Sequence, residues 1–188
     1  MKSKKNTLFP KYMKIMGRVG ENIKLARLRR KFTIIEIANR ANVSKFTLSK
    51  VEKGDPTVSM GAYYNVLKTL GLGEDLLKVG NDDNLKIKLS QFSKNNLKSP
   101  FIPKRKVLSI LGMNLRLARK RRNLSMIQVG DGANISRPTM RKVESGDGTV
   151  SVATYFKVLR VLNLHNDFLK IAADDKLGLK LRDLELLK

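Results

Sequence analysis

Apolar residues recur along this chain at intervals of three and four, and no long alternating run appears, so the pattern predicts short amphipathic helices throughout. Ile15, Val19, Ile23 and Ala26 form the stripe of a first helix, and Leu108, Leu111, Leu115 and Ala118 form a second such stripe. The motif "TIIE" at 33–36 and its counterpart "SMIQ" at 125–128 read as capping boxes, which start a helix of barely two turns. That helix stops at Asn42 or Asn134, residues that tolerate a left-handed backbone, and Ser44 or Ser136 then caps the next one. Ala38 and Gly130 are small in mid-helix, which predicts a close crossing there. The third helix buries Val43, Leu48 and Val51, with Ile135, Met140 and Val143 as counterparts, and ends at Gly54 or Gly146. A fourth follows Ser59 or Ser151 and carries Tyr63, Val66, Leu67 and Leu70, and a fifth is expected over 74–79. Asp82 and Asp83, like Asp174 and Asp175, read as caps of a further amphipathic stretch.

These elements come in pairs because the sequence is written twice. Residues 20–79 align without a gap on residues 112–171, a constant offset of 92, with about half of the positions identical. Two copies are too few for a solenoid, so each must be a small globular unit, divided here as 1–93 and 94–188. A basic linker with two prolines and no periodicity, 93–106, separates them.

Charge changes the picture more than length does. The 188 residues hold 39 Lys and Arg against 16 Asp and Glu, a net charge of +23. Up to position 92 there are 19 basic and 8 acidic residues, and beyond it 20 and 8, so both units are basic. A field this positive calls for a polyanionic partner, nucleic acid first. With no cysteine, disulfides and thiolate metal sites are excluded. No run resembles a signal peptide or a membrane span, which points to a cytoplasmic, nucleoid-associated protein with no membrane partner.

The stretches "ANVSKFTLSKVEKGDPTVSMGAYYNVLKTLGL" and "ANISRPTMRKVESGDGTVSVATYFKVLRVLNL" resemble DNA-binding domains of the lambda-repressor/Cro type, the Xre family. The resemblance implies an all-α fold of two tandem five-helix helix-turn-helix domains joined by a basic linker. The tail "GLGEDLLKV…DDNL" is similar to that of HipB-like antitoxins. Carried over from the family, the residues that meet base edges are Lys45, Phe46, Ser49 and Lys50 in the first unit and Arg137, Pro138, Arg141 and Lys142 in the second. An arginine there can pair bidentately with guanine, and Phe46 can pack on a thymine methyl. Thr47 and Thr139 are expected at phosphate or base edges or as local caps; Ser44 and Ser136 belong to the same surface as helix starts. Ser59 and Ser151 open helices whose amides are expected to hold a phosphate. Arg27 with Glu52, and Arg119 with Glu144, resemble the family's buried structural ion pair. One departure stands out: Ile34 and Met126 occupy the place where the family carries a phosphate-contacting Gln, so that contact is lost or replaced by bare helix-start amides, or the apolar edge, with Ile35 and Ile127, meets a protein instead.

The basic runs "RLRRK" (27–31) and "RKRRN" (119–123) suit either phosphate attraction or the negative end of a helix. The segments "KSKKNTLFPK" and "LKSPFIPKRK" read as arms or plain linker. His165, the single histidine, is expected in a surface turn, with no partner for catalysis or for a metal, so neither an enzyme nor a cofactor is expected. The reading is therefore a sequence-specific regulator of double-stranded DNA, acting by repression through two recognition helices in successive major grooves. Its dimer is expected within one chain as a pseudo-dimer, or as a homodimer, on an operator with unlike halves. Twelve of the linker's residues, fully extended, already span about 40 Å, enough for half-sites one helical turn apart. The alternative is a HipB-like antitoxin that also captures a HipA-like kinase toxin. A charge-driven nonspecific binder would show a steep salt dependence and little sequence preference.

Overall fold

The computed structural model describes residues 8–81 and 104–186. The first unit contains α1 (Pro10–Arg29), α2 (Ile34–Arg40), α3 (Lys45–Glu52), α4 (Met60–Thr69) and a 3-10 helix, Gly73–Lys78. The second repeats that order as α5 (Lys104–Arg121), α6 (Met126–Ala133), α7 (Arg137–Glu144), α8 (Val152–Val161) and a 3-10 helix, His165–Lys170; α9 (Lys176–Leu186) follows. The expected fifth helix is thus a 3-10 segment in each unit, closed within six residues. No strand forms among the described residues, so the fold is all-α.

Local chemistry accounts for these boundaries. Pro10 sits at the start of α1, where its missing N–H is not needed. Both capping boxes form: the Glu36 N–H donates to Thr33 Oγ1 at 3.2 Å while the Thr33 N–H donates to Glu36 Oε2 at 2.7 Å. Ser125 and Gln128 reproduce the pair at 3.1 and 2.8 Å. Asn42 and Asn134 lie in the left-handed region, φ 51° and 52°, and let the N–H groups of Val43 and Ile135 return to the carbonyls of Ala38 and Gly130. That return explains the small residues in mid-helix. A Cβ at Gly130 lies 3.1 Å from the Ile135 carbonyl, so the close approach is to the turn itself, not to a crossing helix. Gly54 and Gly146 end α3 and α7 with φ 71° and 74°, and a Cβ there would run into the carbonyl of Met16 or Leu108.

The core is one continuous cluster across both units. In α1 it is Met16, not the expected Ile15, that joins Val19, Ile23 and Ala26; Ile15 is half-buried. The offset of 92 pairs Leu108 with Met16, so the register was available in the repeat. Leu48, Val51, Met140 and Val143 are buried as expected, whereas Val43 and Ile135 are only partly so because they follow the exposed turn asparagines.

The two units meet along a seam in which every backbone bond has a counterpart displaced by 92. Met60 N–H donates to the Val150 carbonyl and Val152 N–H to the Val58 carbonyl, both at 2.9 Å. Gly61 N–H donates to the Gly148 carbonyl at 2.9 Å and Ala153 N–H to the Pro56 carbonyl at 2.8 Å. An isolated antiparallel bridge joins Ser59 to Ser151 at the centre. Such reciprocity defines a pseudo-two-fold axis. Away from it each unit lends its 3-10 segment to the other, Gly73–Lys78 packing on α5 and His165–Lys170 on α1. Asp75 Oδ2 accepts the Ala172 N–H at 2.9 Å, and Asp167 Oδ2 accepts the Gly80 N–H at 3.0 Å. His165 is therefore no surface-turn residue: its ring lies 5.3 Å from Tyr12 of α1 and 6.1 Å from Phe156, inside an aromatic cluster.

The C-terminal helix is tied down by charge. The Asp175 side chain is fully buried and takes Arg30 bidentately at 2.8 and 2.7 Å, Arg29 at 3.4 Å and the Gly178 N–H at 3.1 Å. Burial raises the energy of its charge, but the Arg30 and Gly178 hydrogen bonds and the Arg29 contact hold its carboxyl below the usual range. Asp174, by contrast, is exposed and pairs with Lys176 at 3.6 Å, so the cap is Asp175 alone. Asp82 and Asp83, the 93/94 boundary, the first residues of the N-terminal arm and most of the linker lie outside the described residues. The end of that linker, 104–106, already belongs to α5, and Leu8 of the N-terminal arm is buried in the core. Among the described residues no helix is long and apolar enough to cross a membrane.

Candidate nucleic-acid interface

α3 and α7 begin identically. Ser44 Oγ accepts the Thr47 N–H at 3.0 Å, and Ser136 Oγ accepts the Thr139 N–H at 3.4 Å. In both, the serine and threonine hydroxyls are also bonded to one another at 2.9 Å. Thr47 and Thr139 thus take part in the local caps of their helices. The caps and the buried pairs Leu48–Val51 and Met140–Val143 fix which face of each helix points outward.

On that outward face the expected residues are where the helical register puts them. Lys45 and Phe46 are exposed, and Ser49 and Lys50 are half-buried. Arg137, Pro138, Arg141 and Lys142 are all exposed. Behind α3 and α7, Arg27 Nε lies 2.6 Å from Glu52 Oε1, and Arg119 Nε lies 2.6 Å from Glu144 Oε1. Each guanidinium also donates at 2.8 Å to the carbonyl before the next capping box, Phe32 or Leu124. One arginine thus locks the first helix, the turn into the second and the end of the third together.

A helix-turn-helix family model matches residues 115–169. The helix-turn-helix segment runs from the middle of α5 through α6, Asn134, α7 and α8 into the second 3-10 helix, and so contains the outward face Arg137–Lys142. No curated protein and no solved structure matches the chain significantly.

One expected contact needs correction. Ser59 and Ser151 were expected to open phosphate-binding helix ends. Their hydroxyls cap Ala62 and Thr154 at 3.3 Å, and the next amides, on Met60, Gly61, Val152 and Ala153, donate across the seam to carbonyls of the other unit. Those amides have no donor left for a phosphate. The first basic run is likewise engaged, since Arg27 is bound to Glu52, and Arg29 and Arg30 to Asp175. In the second run Arg122 bonds its own helix at the Ala118 carbonyl, 2.9 Å. The apolar edge of α2 and α6 is outward as expected, with Ile35 and Ile127 half or more exposed.

Sequence reasoning missed the groups that hold the units together. Asn114 is fully buried and donates to the carbonyls of Leu77 and Val79 at 3.4 and 3.3 Å; Asn22 donates to the Ile171 carbonyl at 3.5 Å. With Asp75 and Asp167 they carry the seam. Their signal was present: all four are polar residues identical between the copies, each followed directly by an apolar residue.

Proposed function

We propose that this chain binds double-stranded DNA in a sequence-specific manner and regulates transcription, acting by repression. What carries the reading is the outward face of α7, where Arg137, Arg141 and Lys142 stand exposed within the segment that matches the helix-turn-helix family. The first unit, with the same element order and about half of its aligned residues identical, is read as a second domain of the same kind. Under this reading α3 and α7 are recognition helices, and the pseudo-two-fold seam makes the chain the covalent equivalent of a dimer. Two-fold-related recognition helices suit half-sites about one helical turn, ~34 Å, apart. Base-edge contact falls to Lys45, Phe46, Ser49, Lys50, Arg137, Pro138, Arg141 and Lys142, and the net charge of +23 supplies the sequence-independent attraction. Bound at a promoter, such a chain represses by occupying the duplex.

Selection of bound duplexes from a random pool at physiological salt tests this. The expected result is a site of two unlike halves. Arg137→Ala with Arg141→Ala should relax preference in one half only, by about 1–3 kcal/mol for each bidentate pair lost. Equal affinity for every sequence, with a steep salt slope alone, would refute sequence reading. The antitoxin alternative rests on Ile35 and Ile127, exposed on the edge of the two second helices. Co-purification of a kinase that is lost in Ile35→Lys with Ile127→Lys would favour it.

A further inference from the structure

Lys50 and Lys142 occupy the same place in the two copies, yet their surroundings differ. Lys50 Nζ lies 3.4 Å from Asp55 Oδ2 and 5.0 Å from the centre of the Phe46 ring. It is thus folded back along its own helix, with its charge partly met by a carboxylate and partly by an aromatic face. In the second unit Pro138 replaces Phe46 and offers no ring. Asp147 matches Asp55, but among the described residues Lys142 makes no ion pair with it within 4 Å and acts on its carboxyl only through longer-range charge attraction. Position 49 adds to the contrast, with Ser49 in α3 against the exposed Arg141 in α7. The outcome is two faces of different chemistry on one scaffold. α7 presents three exposed cations, whereas α3 presents one, Lys45, beside a ring that is 71% exposed with the Lys50 ammonium held behind it.

An aromatic ring left this far in water gains from covering by an apolar group. In the major groove the apolar feature of a base pair is the C5-methyl group of thymine, and guanine offers the paired acceptors that an arginine fits. Resting on the DNA-binding reading above, we infer that the first unit selects its half-site through pyrimidine 5-methyl groups contacted by Phe46, with Asp55 as the positioning residue that keeps Lys50 behind the ring, while the second unit selects guanine. Asp55 can do this without giving up its turn. Its Oδ1 accepts the Thr57 N–H and hydroxyl at 2.8 and 2.7 Å, and only Oδ2 faces Lys50. Asp147 holds Thr149 in the same way at 2.8 and 2.7 Å, so the turn needs the first oxygen and the clasp uses the second.

The test uses the full chain and the duplex it selects. The half read by the second unit is identified as the one whose preference Arg137→Ala with Arg141→Ala relaxes. Deoxyuridine is then placed for thymine in one half at a time, which removes the methyl and leaves pairing intact. Substitution in the first unit's half is expected to weaken binding roughly threefold to tenfold, the scale of one or two methyl contacts, and substitution in the other half to leave it unchanged. Phe46→Ala, at an exposed position, should abolish the thymine–uracil difference while guanine preference in the other half persists. Asp55→Asn keeps the acceptor for Thr57 but drops the charge; it should steepen the salt dependence by about one released counterion and reduce the uracil effect. Asp147→Asn should leave the uracil effect unchanged. A selected duplex that tolerates uracil in both halves, or a uracil effect that survives Phe46→Ala, overturns this inference and leaves sequence-specific binding standing. Failure to select any sequence overturns the sequence-specific reading itself.

Discussion

If the seam presents the two outward helices as a fixed pair, then loosening it should damage two-site binding while sparing each site. Asp75→Ala with Asp167→Ala is the sharpest perturbation, because each carboxylate spans the units with one oxygen and holds a lysine of its own segment with the other. Asp75 takes Ala172 N–H at 2.9 Å and Lys78 at 2.6 Å; Asp167 takes Gly80 N–H at 3.0 Å and Lys170 at 2.6 Å. The exposed lysine pairs add little. A hydrogen bond to a charged group contributes about 1.5–3 kcal/mol, so the double variant should lose roughly 3–6 kcal/mol of docking free energy. The chain still links the units, but the outward helices then bind as tethered partners, and DNA must re-dock them. Each 1.4 kcal/mol carried into that step lowers affinity tenfold. Titration of a duplex with both half-sites should show a fall of about tenfold or more, titration of an isolated half-site should show none, and urea unfolding should begin earlier. Unaltered affinity for the two-site duplex, together with a clearly lowered urea midpoint, would refute the idea that the seam sets the pairing of the helices.

Three other outcomes follow from the geometry. Gly54→Ala and Gly146→Ala each combine a positive φ with a Cβ aimed at a helix carbonyl, so thermal unfolding should show losses above about 2 kcal/mol, where Gly71→Ala, whose Cβ meets open space, should show only the ~1–2 kcal/mol of the backbone term. Glu144→Ala leaves Arg119 buried and unpaired and should destabilise by about 3–5 kcal/mol, while Arg119→Leu with Glu144→Leu should recover much of that in the same denaturation assay. Asp175 has its carboxyl pKa depressed in the folded chain, so the stability it contributes is complete above the unfolded carboxyl value of about 3.9 and is lost as pH falls through the lower folded value. Acid unfolding of Arg30→Leu should therefore begin at higher pH than that of the unaltered chain.

Most of the unit was legible because its determinants are local. Capping boxes, left-handed asparagines and C-terminal glycines each act within one turn of chain, and each appears twice at the same offset, which removed accidental matches. The outward faces of α3 and α7 followed from the same register, since once Leu48 and Val51 face inward the remaining positions have no choice. What the sequence could not display is which donors and acceptors are already taken. Ser59 and Ser151 cap their helices as their types suggest, but their neighbouring amides are consumed by a surface 92 residues away. Arg29 and Arg30 read as cations for a phosphate or for their own helix end, and nothing local shows that Asp175 takes them. His165 reads as a turn residue because its partners, Tyr12 and Phe156, belong to different elements and one of them to the other unit. In each case the missing information was a contact between units, not a local preference.

The chemistry of the seam also explains how two copies can diverge and still dock. Its side chains reach backbone, not side chain: Asp75 and Asp167 accept amides of Ala172 and Gly80, and Asn22 and Asn114 donate to carbonyls of Ile171 and of Leu77 and Val79. A backbone group offers the same bond whatever residue carries it, so Gly80 and Ala172, or Val79 and Ile171, can differ without breaking the pairing. The reaching side chain has no such freedom, and these four are unchanged between the copies. The central strip uses backbone on both sides, which is why Pro56 stands opposite Ala153 where Gly148 stands opposite Gly61: a proline lacks only its N–H, and the seam asks this position for a carbonyl. A homodimer cannot use this latitude on its outward helices, because one substitution alters both. A chain that carries both copies can rewrite α3 and α7 separately while the few backbone-directed side chains hold their geometry, and the clasp of Lys50 by Asp55 beside an exposed Lys142 is a case of identical residues given different tasks by one neighbouring exchange, Phe46 for Pro138.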